Sequence, residues 1–100
     1  MSEPRSVNFG SHIDIRHLAK LKEDLIMALE QAEGECLLQA EKVTAADTAG
    51  LQLVYSFMDA AKVQNMQVRW QNPSKALLKS ANMLGMADIL KLKSFSGESQ

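Results

Sequence analysis

One hundred residues and a mass of 11.0 kDa make a single domain of ordinary size and exclude a two-lobed enzyme. Hydrophobic side chains at 46% and charged ones at 23% supply enough apolar surface for a core and exclude a disordered or fibrous chain. Eleven basic against twelve acidic side chains leave a formal charge of -1, which offers no field to a phosphate backbone and argues against nucleic acid as a partner.

Residues 1–6 lack the apolar core of a secretory signal and are read as a flexible end before a single domain over residues 7–93. Val7 and Phe9 alternate with polar neighbours, Gly10-Ser11 interrupts, and Ile13 and Ile15 alternate again, which predicts one or two short opening strands. From Leu18 the period changes. Leu18, Leu21, Leu25, Ala28, Leu29 and Ala32 recur at steps of three and four, forming the apolar stripe of a helix whose other faces carry Lys20, Lys22, Glu23 and Glu30. Gly34 stops that helix. Cys36-Leu37-Leu38-Gln39-Ala40 is short and mostly apolar, which predicts a buried central strand. Residues 41–46 lead the chain out of the sheet, and Asp47 or Thr48 caps a second helix. Leu51, Val54, Met58 and Ala61 form its stripe, widened by Leu53 and Phe57.

Met66 to Trp70 alternates as a strand, Asn72-Pro73-Ser74 turns, and Ser74 caps a third helix bearing Leu77, Leu78, Ala81 and Leu84, which Gly85 ends. Met86 to Leu92 reads as a short helical turn followed by an edge segment, and residues 94–100 as a mobile polar tail. Strand, helix, strand, helix, strand, helix implies right-handed crossovers. The fold class is therefore α/β, a small and largely parallel sheet with helices packed on one face. No run approaches the roughly 20 apolar residues that cross a bilayer, and the single cysteine fits a reducing compartment. A cytoplasmic chain with no membrane insertion is expected.

The inventory for catalysis is poor. His12 and His17 stand five apart, which fits neither the i, i+4 pair of a helical metal site nor two ligands on one strand face, so both are read as surface or core-edge side chains with no metal. Cys36 falls on the predicted central strand, where a cysteine packs as a small hydrophobe. The glycines are scattered and none opens a Gly-Lys-Thr or Gly-Lys-Ser sequence, so no phosphate loop and no cofactor is expected. No catalytic residue is assigned, and the chain is read as a non-enzyme.

One segment brings a hydroxyl and a carboxylate to a strand-to-helix junction: Asp47-Thr48-Ala49-Gly50-Leu51-Gln52-Leu53. Taken alone it asks only for a helix cap and for a glycine that allows close approach of backbone to backbone. Followed by Ala60-Ala61, Val68-Arg69-Trp70, Ser74, Leu84-Gly85-Met86 and Ile89-Leu90, in that order and spacing, it resembles the STAS domain over residues 7 to 92. That is the family of anti-sigma-factor antagonists and of the cytoplasmic tails of sulfate transporters. The resemblance implies a regulatory phosphoacceptor immediately after the motif aspartate, here Thr48. It also implies a partner-binding face made of Asp47, Thr48, Ala49, Gly50 and Leu51, with Asp14 matching an acidic residue of the opening strand region.

The partners so implied are a serine/threonine kinase or anti-sigma factor and a phosphatase, in bacterial partner-switching or chemotaxis-associated signalling. Two departures stand out: many kinase-regulated members carry serine at the position of Thr48 and a second hydroxyl at that of Ala49. A second reading of the same resemblance is the STAS subunit of a lipid-transporting ABC complex, in which the Thr48 helix docks on the ATPase subunit. The family usually opens with a longer pair of strands. With about fifteen residues before the first helix, the sheet edge is trimmed and offers a pairing place to a partner or to a weakly bound second copy.

Overall fold

The structure is a computed structural model that describes residues 5–31 and 33–97. In chain order the elements are strands β1 (Arg5–Asn8) and β2 (His12–Ile13), a 3-10 turn (Ile15–His17), helix α1 (Leu18–Gln31), strands β3 (Glu35–Gln39) and β4 (Ala45–Ala46), helix α2 (Thr48–Val63), strand β5 (Gln67–Gln71), and helices α3 (Lys75–Met83) and α4 (Lys93–Gly97). The sheet β1-β3-β5 is parallel throughout, and β2 pairs in parallel with β4 as a separate two-stranded sheet.

The register explains why the helices lie on one side. Val7 stands beside Leu38 and Leu38 beside Trp70, and one residue along Ser6 stands beside Leu37 and Leu37 beside Arg69. Successive side chains point to opposite faces, so Val7, Cys36, Leu38 and Trp70 enter the core together. The opposite row carries Ser6, Asn8, Glu35, Gln39, Gln67, Arg69 and Gln71 around one apolar residue, Leu37. There Arg69 Nε meets Glu35 Oε2 at 3.1 Å and Gln39 Nε2 donates to Gln71 Oε1 at 3.3 Å. Parallel sheets are normally covered on both faces. Here, among the described residues, the face away from the helices carries a polar row instead.

Most of the predicted stripe residues are buried or half-buried, whereas Leu84, expected on the α3 stripe, is the C-cap of that helix and stands 42% exposed. α1 buries Leu21, Leu25 and Ala28, and α2 buries Leu51, Val54, Phe57, Met58 and Ala61. Ala32, the last residue of the first stripe, lies outside the described residues. Gly34 ends the α1 connection with φ +85, a left-handed backbone that a side chain disfavours. Ser74 caps α3 by accepting the Leu77 N–H at 3.0 Å and donates to the Val43 carbonyl at 2.6 Å, which ties this helix to the loop after β3.

Several local expectations are corrected. β1 begins at Arg5, because Arg5 and Ser6 are in register with Cys36 and Leu37. Ile15 belongs to a 3-10 turn rather than a strand. The segment 41–46 contains β4, whose two alanines pair with His12 and Ile13. Met86 to Leu92 forms turns, with Leu90 N–H bonded to Met86 O at 3.1 Å and Leu92 N–H to Ala87 O at 2.8 Å. Lys91 takes φ +61 there, which bends the chain before an edge ladder can start. α4 then occupies the first part of the segment read as a tail, with Phe95 packed against the core. Residues 1–4 and 98–100 lie outside the described residues.

Trp70 joins β5 to this last segment. Its ring lies 5.8 Å from that of Phe9, and its indole Nε1 donates to the Leu90 carbonyl at 2.8 Å. Leu90 and Leu92 are fully buried beside that bond. Trp70→Phe leaves the Leu90 carbonyl unpaired and removes ring volume, so urea denaturation is expected to show a loss of about 1–3 kcal/mol. An unchanged midpoint would mean that the indole bond does not hold the segment.

Candidate protein-docking site

The motif aspartate sits at a point where three pieces of backbone meet. Asp47 is the N-cap of α2, and its Oδ1 accepts the Gly50 N–H at 2.8 Å. Its Oδ2 accepts the Ile15 N–H at 3.0 Å, from the turn after β2. The Asp47 N–H donates to the Ile13 carbonyl at 3.0 Å, and its own carbonyl accepts the Leu51 N–H at 2.9 Å. A single half-buried side chain thus starts α2 and fastens the opening segment to it.

Gly50 makes this meeting possible. A Cβ built there would overlap the Ile13 carbonyl and come within 2.9 Å of the Asp14 backbone nitrogen. The obstacle is backbone on both counts, so no rotamer change relieves it. Leu51 is fully buried next to it. Gly50 and Leu51 therefore shape the surface from beneath, while Thr48, the first residue of α2, is exposed and Ala49 is half-buried. Among the described residues the Thr48 hydroxyl has no hydrogen-bond partner.

Beside Thr48 runs an apolar groove of about 330 Å³ between α1 and α2, with Leu18, Ala19, Ala49 and Leu53 in its walls and Lys22, Gln52 and Ser56 at its rim. Ile15 stands 65% exposed on the adjoining turn. From the sequence Ile15 reads as a strand residue, Leu18 as part of the α1 core stripe and Lys22 as part of its polar face, none of them as part of a site. Ile15 fitted a strand alternation, and its exposure depends on the turn that Asp47 holds. An exposed Ile15 continuous with the half-buried Leu18 and Leu53 of the groove makes an apolar patch of the kind that contact surfaces use.

Asp14 lies in the same turn but does not join the Asp47 cluster. Its Oδ1 bonds His17 Nδ1 at 2.7 Å, and the His12 and His17 rings stack with centroids 4.8 Å apart. The hydrogen bond from His17 holds the Asp14 carboxyl below its ordinary value of 3.8, slight burial opposes this, and the charges of His17 and His12 assist. A lowered carboxyl favours the folded state above the ordinary value and loses that contribution as pH falls through the lowered one. His12 Nδ1 is occupied by Ser11 Oγ at 2.7 Å. Among the described residues no group of three or more His, Cys, Asp or Glu side chains is placed to hold a metal ion. Burial pushes the Cys36 thiol up to about 11, which keeps it protonated and unreactive at neutral pH.

Alanine in place of a helical glycine ordinarily stabilises by about 0.5–1 kcal/mol, but at Gly50 the clash with backbone reverses the sign. Gly50→Ala is expected to lower stability in urea by about 1–3 kcal/mol, and a stabilised variant would refute the close approach.

The family described as "Mlab, STAS domain" matches residues 2–92. No curated protein matches the chain. Among solved structures the chain is similar to the anti-sigma factor antagonist SpoIIAA in its unphosphorylated form, at 18% identity over 88% of this chain and 77% of that one, with a TM-score of 0.69. It is also similar to a sulfate transporter family protein from Wolinella succinogenes, at 14% identity over 87% of this chain and 70% of that one, with a TM-score of 0.71. At these identities the likeness is one of fold. STAS domains are generally binding modules without catalysis of their own. Among the described residues no helix is long and apolar enough to cross a membrane. The family match over nearly the whole length, on a one-sided parallel sheet with the Asp-Thr-Ala-Gly junction at the head of α2, makes this chain a member of the STAS domain family.

Proposed function

We propose that the chain is a protein-docking module of the anti-sigma-factor-antagonist type, which presents the head of α2 to a partner and is switched by phosphorylation of Thr48. The observation that carries this reading is the exposed, unbonded Thr48 side chain beside an apolar groove and the exposed Ile15. Thr48 contributes its backbone to α2 while its side chain holds nothing together, so a phosphate there leaves the fold standing. The first N–H groups of a helix and its dipole favour such an anion in the free protein.

Docking changes the balance. A phosphate adds about -1.5 to -2 charges next to the Asp47 carboxylate and in the middle of a surface whose neighbours are Ala49, Leu53 and Ile15. Covering it with a partner's apolar groups strips its water without supplying a countercharge, which costs far more in the complex than in the free module. The switch works through this difference between two states of one rigid surface. A kinase that also serves as partner, or an anti-sigma factor, would bind the unmodified form, and a phosphatase would restore it.

The second reading is the accessory subunit of a lipid ABC transporter, with the same surface docked on the ATPase subunit and no modification needed. The family description that names Mlab and the single hydroxyl left by Ala49 favour it. Paired capture from the source cell with wild-type and Thr48→Glu baits, read by mass spectrometry, separates the two. Recovery of a kinase, anti-sigma factor or phosphatase that falls at least tenfold with Thr48→Glu is the expected result. Recovery of an ABC ATPase with its membrane subunit supports the second reading. Binding of every partner equally by Thr48→Glu, with circular dichroism unchanged, would end the phospho-switch.

A further inference from the structure

A second surface lies along the outer edge of β5, at the far end of α2 and about 20 Å from Thr48 at 1.5 Å rise per residue. Among the described residues β5 borders β3 on one side and no strand on the other. Its inward groups are paired: Gln67 N–H donates to Gly34 O at 2.8 Å, and Gln71 O accepts from Ala40 N–H at 3.4 Å. Alternate residues of a parallel strand direct their N–H and C=O to opposite sides, so those of Val68 and Trp70 point away from β3. Among the described residues nothing pairs with them.

A groove of about 430 Å³ lies along the first part of this edge, from Met66 to Arg69, with Met58, Met66 and Val68 as its apolar part and Lys62, Arg69 and Lys91 as its charged part. No carboxylate lines it. Lys62 and Lys91 form no ion pair among the described residues, and Arg69 has only the exposed pair with Glu35, a kind of contact worth little. The three cations come from α2, from β5 and from the turn before α4, and the last is held in place by the Trp70–Leu90 bond. Unpaired backbone beside an apolar floor accepts an extended chain. The charge decides which one. A second copy offering its own β5 would set Lys62 and Lys91 against the same two lysines with no carboxylate in the groove lining to answer them, so self-pairing at this edge is disfavoured.

We propose that the groove along β5 binds an extended acidic segment of a partner protein, which adds a fourth strand to the sheet beside Val68 and Trp70 with its carboxylates near Lys62, Arg69 and Lys91. Backbone pairing supplies the docking register, side chains on the helix side of the segment lie over Met58 and Met66 within reach of Lys62, those on the other side face Arg69, and the cations select against neutral and basic segments. This surface is independent of Thr48, so both can be engaged at once.

The test uses the full chain, labelled with nitrogen-15, titrated with a capped peptide of alternating glutamate and valine, with glutamine–valine and lysine–valine peptides as controls. The expected result is a shift and slowed hydrogen exchange at the Val68 and Trp70 amides, with the glutamate peptide bound at least tenfold more tightly than the glutamine one. The double variant Lys62→Glu/Lys91→Glu, which alters exposed side chains only, should lose at least tenfold in affinity, whereas Thr48→Glu should bind the peptide as wild type does. Absence of shifts at Val68 and Trp70, equal binding of the lysine peptide, or a double variant that binds normally would overturn the proposal. So would lysine-dependent sedimentation with phosphatidylglycerol vesicles in place of peptide binding, or self-association through this edge.

Discussion

The backbone of α2 meets the backbone of the β2 turn with no space for a side chain between them, and the rest of the candidate surface depends on that meeting. Gly50 supplies the missing side chain, and Asp47 spends one carboxylate oxygen on the start of its own helix and the other on the Ile15 N–H. Once the two segments are fastened, Leu51 has only the core to enter, and Thr48 has only the outside. The same fastening turns Ile15 away from the strand it would otherwise continue and leaves it in water beside the groove. A capping interaction of about 1 kcal/mol therefore fixes the composition of a surface as well as the start of a helix.

The second organising constraint is the one-sided sheet. Among the described residues the row of Val7, Cys36, Leu38, Val68 and Trp70 packs against the helices, and Ile13 of β2, Val43 and the Met86–Leu92 turns complete the core at its ends. α2 crosses that face from the Asp47 junction to the edge of β5 and so links two surfaces of different chemistry. The head of α2 sets the free Thr48 hydroxyl beside a groove with apolar walls and a polar rim. The end of α2 joins an unpaired strand edge ringed by cations, suited to a contact that charge attracts. On the two proposals made above, negative charge would act in opposite ways at the two ends of α2.

What was legible in the sequence was whatever depends on neighbours in the chain. The stripes of α1 and α2, the Ser74 cap, the glycine stops and the buried strand at Cys36 to Leu38 follow from local periods, and so does the strand and helix order behind the α/β reading. β4 escaped because two alanines carry no strand preference, and their pairing with His12 and Ile13 is a contact across more than thirty residues. The steric demand on Gly50 has the same origin, since its obstacle is the Ile13 carbonyl. At the candidate site, Asp47 and Thr48 could be placed at a helix head from the sequence, whereas the roles of Ile15, Leu18 and Lys22 could not. The cations around β5 come from three separate elements, and only the folded chain brings them to one groove.

The whole surface depends on Asp47 holding both segments at once. Native-state hydrogen exchange of the Ile15 and Gly50 amides, compared between wild type and Asp47→Ala, tests this directly, with the Leu38 amide as a reference inside the sheet. The account predicts that both amides lose protection together in the variant while Leu38 keeps its own. Loss at Gly50 alone, with Ile15 unchanged, would show that Asp47 only caps a helix and would contradict the claim that it builds the surface around Thr48.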